Sequence, residues 1–132
     1  MTVPSPGERQ RLRARVPARV EVSTRLRAVA RAMVETKMDA VLVDSQSSTC
    51  LVTARDLIEA IAAGADPDVV WAGDVMRPIP RVIDREQHPT VVGEEMAAYE
   101  LEFVAVVDEH ERVGLASALD VLEAITRALR EP

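Results

Sequence analysis

Hydrophobic and polar positions along this chain follow one pattern, and the pattern runs twice. Arg19-Val20-Glu21-Val22 alternates in two-residue steps and predicts a short strand. Ser23 or Thr24 offers an N-cap. Leu26, Val29, Ala30, Met33 and Val34 then recur at helical spacing, with Arg25, Arg27 and Arg31 largely on the other side. Ala40-Val41-Leu42-Val43 is a continuous apolar run of the kind buried on both faces of a sheet. Asp44 to Ser48 is a turn by composition, and Thr49-Cys50-Leu51-Val52 returns as the second arm of a hairpin. A helix from Ala54 then presents Leu57, Ile58 and Ile61 to a core and stops at Gly64.

Past Asp66-Pro67-Asp68 and Trp71, an apolar anchor in a linker, the order starts again. Arg81-Val82-Ile83 predicts a strand. Val91, Val92, Met96 and Tyr99 predict a helix weakened by Gly93. Phe103 to Asp108 is the buried strand, Glu109-His110-Glu111 the turn, and Arg112 to Ala116 the returning arm. The last helix carries Ala118, Val121, Leu122, Ile125 and Leu129 on one face.

The fold class is therefore α/β (α+β), a β-α-β-β-α unit repeated. Asp44 and Asp108 stand 64 positions apart and Val20 and Val82 stand 62 apart, which places a two-residue insertion before the second copy's first helix. A unit of roughly 50–60 residues buries little core alone, and two packed together share one. The expected boundaries are an Arg-rich flexible arm at 1–16, a first repeat at 17–66, a linker at 67–73 and a second repeat at 74–131.

Composition narrows the chemistry. Aromatics are 2% of the 132 residues, so the core must be aliphatic and the stacking platforms that single-stranded nucleic acid needs are missing. The single cysteine, Cys50, excludes an intrachain disulfide and a thiolate metal site, and reads as a small buried hydrophobe. No apolar run reaches the ~18–20 residues that span a bilayer, and Met1 to Gly7 lacks a signal-peptide core; a soluble cytoplasmic protein with no membrane contact is the expectation. Net charge is −6, yet residues 1–31 hold eight Arg against Glu8 and Glu21, for +6, leaving −12 on the rest. The basic arm is expected to dock on an acidic surface of the protein itself or its dimer partner. Nucleic acid bound through residues 1–16 is the less favoured alternative.

One motif recurs inside the repeat. Cys50-Leu51-Val52-Thr53-Ala54-Arg55-Asp56 opens one predicted helix, and Gly114-Leu115-Ala116-Ser117-Ala118-Leu119-Asp120 opens the other, 64 positions later. A hydroxyl followed three residues on by an acid is a capping-box variant. Helix capping alone accounts for both residue types, at ~0.5–2 kcal/mol for each cap.

These stretches resemble the ligand signature of cystathionine β-synthase domains (CBS domains): Gly, apolar, any, Thr or Ser, any, any, Asp. The second copy matches it fully and the first has Cys50 for Gly. Ala40 to Asp44 and Val104 to Asp108 are similar to the family's Leu-Pro-Val-Val-Asp strand without its proline. Val75-Met76-Arg77-Pro78 is similar to the Val-Met-Thr-Pro that opens a second repeat, with Arg77 for Thr. The resemblance spans about residues 17–131. It implies a stand-alone CBS pair, or Bateman module, with the repeats related by a pseudo-twofold, their sheets packed and the helices outside. It also implies a flat homodimeric disc and an unidentified effector protein as partner.

The resemblance further implies an adenine nucleotide (AMP, ADP or ATP), or S-adenosylmethionine or NAD, in the cleft between repeats, as a regulatory ligand and not a required cofactor. Asp56 and Asp120 would each accept two hydrogen bonds from a ribose diol. The helix N-termini, Thr53 and Ser117 would favour a phosphate that Arg55 or Arg77 neutralises, with Pro78 alongside. Adenine would lie against the strand edges Ala40, Val41, Leu42 or Val104, Ala105, Val106. Cys50 would crowd a ligand where glycine would not, which favours the Asp120 half-site. The competing reading is a ligand-free dimerisation scaffold in which both motifs only cap helices. His88 and His110 are expected at the surface, and Glu94, Glu95, Glu100 and Glu102 on a solvated helix face. No catalytic or metal-ligating set emerges, so the chain is not expected to be an enzyme.

Overall fold

The computed structural model describes residues 12–107 and 113–130. They divide into two compact units, one of residues 17–79 and the other of residues 12–16 together with the chain from Pro80 onward. Each unit is a small sheet carrying helices.

The first unit runs β1 (Arg19–Glu21), α1 (Leu26–Thr36), β2 (Ala40–Asp44), β3 (Thr49–Thr53), α2 (Ala54–Ala62), α3 (Ala72–Val75) and β4 (Arg77–Pro78), with strand order β1-β2-β3-β4. β1 and β2 are parallel, so a crossover must join them, and α1 is that crossover. The short turn after β2 makes β3 antiparallel to it. The second unit runs β5 (Val82–Asp84), α4 (Pro89–Tyr99), β6 (Phe103–Val107), β7 (Val113–Ser117) and α5 (Ala118–Arg130), with order β5-β6-β7 and the same parallel and antiparallel pairings.

Strand register corrects the predicted alignment of the copies. Leu42 pairs with Arg19 and Ala105 with Val82, so Arg19 corresponds to Val82 at an offset of 63. α1 and α4 start 63 apart, at Leu26 and Pro89, and each is followed by a left-handed residue, Lys37 and Glu100. Thr53 and Ser117, opposite Ala40 and Phe103, are 64 apart. The copies therefore differ by one residue in the hairpin turn, with no insertion before the helix. Val107 stands where Asp44 stands; Asp108 and His110 lie outside the described residues.

The same offsets organise the cores. Val29, Met33, Val41, Val43 and Val52 pack with Cys50 and Ala72 in the first unit. Val92, Met96, Val104, Val106 and Ala116 are their counterparts, joined by Leu12, Ile83, Val121 and Ala124. Full burial of Leu12 contributes ~1.5–3 kcal/mol. The arm expected to be flexible is thus fixed from Leu12 onward, because it has an apolar residue to bury and a strand to pair with.

Other expectations need correcting. Neither Ser23 nor Thr24 caps α1. The cap is Arg25, with no side-chain hydrogen bond, and Thr24 Oγ1 accepts from Glu21 N instead. The orphan amides of α1 are met by the linker: Leu26 N donates to Val70 O and Arg27 N to Pro67 O, both at 3.0 Å. That linker holds a helical turn, α3, whose Asp74 accepts from Trp71 N, and Arg25 lies over the Trp71 ring. Val34, Ile58, Ile61, Val91, Tyr99, Leu122 and Leu129, all assigned to buried faces, are exposed. A sheet of three or four short strands covers one row of each helix and leaves the adjacent apolar row open. Gly93 is a close-packing position on α4, since a Cβ there would meet Ile125 Cδ1 at 2.9 Å.

Candidate functional site

In both units the strand before a helix ends on the hydroxyl residue of the repeated motif. Thr53 closes β3 in an extended conformation and caps α2. Its Oγ1 accepts from Asp56 N at 3.2 Å, while Asp56 Oδ2 accepts from Thr53 N at 2.8 Å and from Thr53 Oγ1 at 3.0 Å. Ser117 closes β7 and builds the same box, with Asp120 Oδ2 accepting at 2.8 and 3.0 Å and Ser117 Oγ accepting from Asp120 N at 3.2 Å. Both acids are 9% exposed. A carboxylate this buried needs hydrogen bonds and a counter-charge to offset its lost hydration.

An arginine supplies the counter-charge in each unit. β4 pairs antiparallel with β3, Arg77 opposite Leu51, and Arg77 Nε reaches Asp56 Oδ1 at 2.8 Å. In the second unit Arg15 forms an antiparallel bridge with Leu115, exchanging two backbone hydrogen bonds of 2.9 Å, and its Nη2 lies 3.6 Å from Asp120 Oδ2. Leu51 and Leu115 are the same motif position. Arg15 is therefore the counterpart of Arg77, each delivered by the segment that precedes the other unit's strands. Arg77 sits on the oxygen its cap leaves open. Arg15 stands off the oxygen already in use, and Asp120 Oδ1 accepts no hydrogen bond among the described residues.

The remaining predicted site residues are placed as follows. Arg55 turns to Glu59 at 3.0 Å on the exposed face of α2 and does not meet Asp56. Pro78 is exposed on β4 opposite Cys50. Ala40, Val41, Leu42, Val104, Ala105 and Val106 are fully buried, so their side chains are core. The hydroxyl protons of Thr53 and Ser117, expected to face a phosphate, are donated to the neighbouring acids. Cys50 is buried in its unit's core, and the glycine of the second motif meets the Ala14–Arg15 segment.

Sequence reading missed Arg15 and Leu12. The only signal for Arg15 was that an arginine precedes Val16-Pro17 much as Arg77 precedes Pro78-Ile79. His88, expected at the surface, is exposed and caps α4, with Nδ1 accepting from Thr90 N at 3.2 Å. Glu95 is half-buried beside Arg81 at 3.3 Å, and Arg81 also lies over the Tyr99 ring. Among the described residues no group of His, Cys, Asp and Glu is placed to hold a metal ion, and no helix is long and apolar enough to cross a membrane.

Comparison with known proteins bears on the fold. The family model described as CBS domain matches residues 72–127. No curated protein matches the chain in sequence. Among solved structures, a signal-transduction protein with CBS domains from Burkholderia ambifaria is similar at a TM-score of 0.75 and 18% identity, over 85% of this chain and 84% of that one. A CBS domain protein from Pyrobaculum aerophilum complexed with AMP is similar at 0.70 and 20%, over 91% and 97%. The CBS domain of a bacterial CNNM/CorC family Mg2+ transporter in complex with ATP is similar at 0.69 and 21%, over 91% and 87%. Likeness at these identities establishes the fold. Residues 72–127 thus match the model of a CBS domain, and the fold of CBS-domain proteins is shared along most of the chain.

Proposed function

We propose that the chain is a regulatory module that binds an adenine nucleotide, AMP, ADP or ATP, at half-sites centred on Asp56 and Asp120. The observation that carries this reading is a buried acid at the mouth of a helix in each unit, with a half-exposed arginine against it. The acid suits a ribose diol and the arginine suits a phosphate. Two similar structures, named above, hold AMP and ATP. With Asp120 Oδ1 open and Asp56 Oδ1 occupied by Arg77, the Asp120 half-site fills first. The ligand acts by favouring one arrangement of the protein over another, which requires different affinity for the two. Its output goes to a partner protein, with no reaction catalysed. A homodimer would use the open apolar rows of α2, with Ile58 and Ile61, and α5, with Leu119, Leu122 and Leu129.

Thermal unfolding with AMP, ADP, ATP, S-adenosylmethionine and NAD tests the reading. Ligand at 100 times its dissociation constant adds about 2.7 kcal/mol of stability. An upward shift with the adenine nucleotides supports a sensor. No shift with any of the five supports the second reading, a scaffold whose motifs only cap helices. That reading is favoured by the reciprocal bonding of both caps, which uses both hydroxyl protons within the protein.

A further inference from the structure

The chain passes between its two units twice, and both crossings have the same form. Arg15 is bonded to Leu115 in the second unit, while Ala18 O accepts from Leu42 N in the first, so only Val16-Pro17 lies between. Pro78 pairs with Cys50 in the first unit, while Arg81 O accepts from Ala105 N in the second, so only Ile79-Pro80 lies between. Proline fixes its own φ and restricts the residue before it, which makes each crossing short and stiff. Two bodies tied at two points turn about the one axis through both ties. Tied at a single point, they turn about three.

The two ties are not equally anchored. Before Ile79 stand two ladder pairs of β4, the Arg77–Asp56 ion pair at 2.8 Å and the α3 turn, whose Ala72 is fully buried. Before Val16 stand one isolated bridge, the buried Leu12 side chain and the Arg15–Asp120 ion pair at 3.6 Å. Val16 itself is 82% exposed, and Arg13 and Arg15 are exposed beside it. A segment with so few buried contacts opens at a lower free energy than the sheet it lies on. We infer that residues 12–15 are a latch: docked on β7 they hold the two units to one axis of motion, and released they leave Ile79-Pro80 as the single tie. Release unpairs no strand of the β5-β6-β7 sheet, because the segment lies on the outer side of β7. This regulation needs no ligand and stands apart from the nucleotide reading.

Native-state hydrogen exchange of the parent reads the latch directly. The Arg15 and Leu115 amides, which bond only to one another's carbonyls, should be at least about tenfold less protected than the Ala105 amide on β6. Gly114→Ala, which crowds Ala14, should speed exchange of both amides by about 5- to 150-fold, the factor that corresponds to an overpacking cost. Spin labels at Glu35→Cys and Glu123→Cys, exposed helix positions in the first and second units, then report the distance between units in a Cys50→Ala background diluted with unlabelled protein. The distance distribution should broaden in Gly114→Ala and in Leu12→Ala, which loosen the latch through different contacts. Arg15 and Leu115 amides as protected as Ala105 in the parent would overturn the inference, whether or not the variants fold. So would a distribution as narrow in both loosened variants as in the parent.

Discussion

A Cβ placed on Gly114 would lie 2.8 Å from the Cβ of Ala14. Alanine has no flexible end to swing aside, and the next contacts are the Arg15 carbonyl oxygen at 3.3 Å and the Ala14 carbonyl carbon at 3.4 Å. The glycine of the second motif is thus the position where the Ala14–Arg15 segment closes on β7. Gly114→Ala should push that segment off and cost ~1–3 kcal/mol, the usual range for overpacking. Chemical denaturation measures it, and an unchanged midpoint would show that the segment does not lie there.

Leu12 makes the complementary prediction. It is fully buried in the second unit's core, beside Ile83, Val104 and Val121. Leu12→Ala should cost ~2–5 kcal/mol, as for a core leucine. A flexible arm would give a change near zero in the same unfolding experiment.

Two non-glycine residues hold left-handed conformations at equivalent helix ends, Lys37 at φ 56° and Glu100 at φ 53°. Their amides satisfy the last carbonyls of α1 and α4. Glycine adopts this conformation without a Cβ penalty. Lys37→Gly and Glu100→Gly should therefore each stabilise the protein, by up to ~1 kcal/mol once the greater freedom of the unfolded chain is set against the relief. Thermal melts of the single variants check the sign.

Acid should loosen two ion pairs on the first unit. Hydrogen bonding from Arg19 holds the Asp44 carboxyl below its ordinary value, and hydrogen bonding from Arg27 does the same for Asp68. A depressed carboxyl stabilises the fold above its unfolded pKa and loses that contribution as pH falls through the folded one. Stability should therefore decline below about pH 4. Both pairs are solvent-exposed, so the decline they cause is small and weakens further in salt. Asp44→Asn and Asp68→Asn should flatten the stability profile in that range. Profiles that coincide with the parent's below pH 4 would contradict the assignment.

The β-α-β-β-α order was legible because periodicity separates strands from helices and the two copies reinforce one another. The Thr53–Asp56 and Ser117–Asp120 boxes were legible because a cap is local, written within four residues. What stayed hidden was non-local. Leu26 takes its cap from Val70, 44 residues away, and no pattern near Thr24 reports this. Arg15 meets Leu115 across a hundred residues, through two backbone hydrogen bonds that any side chain could make. The ends of α1 and α4 were blurred because Lys37 and Glu100 stand where glycine usually marks the stop. Ile58 and Leu122 were assigned to buried faces because periodicity gives the width of an apolar stripe and not how much of it a narrow sheet covers.

The proposed function has Asp56 and Asp120 each receive a ribose. Calorimetric titration of AMP and ATP into the parent and into Asp56→Asn/Asp120→Asn tests it. Asparagine caps a helix about as well as aspartate, so the variant should remain folded. Saturable binding to the parent, absent or weakened at least about tenfold in the folded variant, is the predicted result, since each acid would lose a charge-assisted pair of hydrogen bonds. Equal binding by parent and variant, or none by the parent, would contradict it.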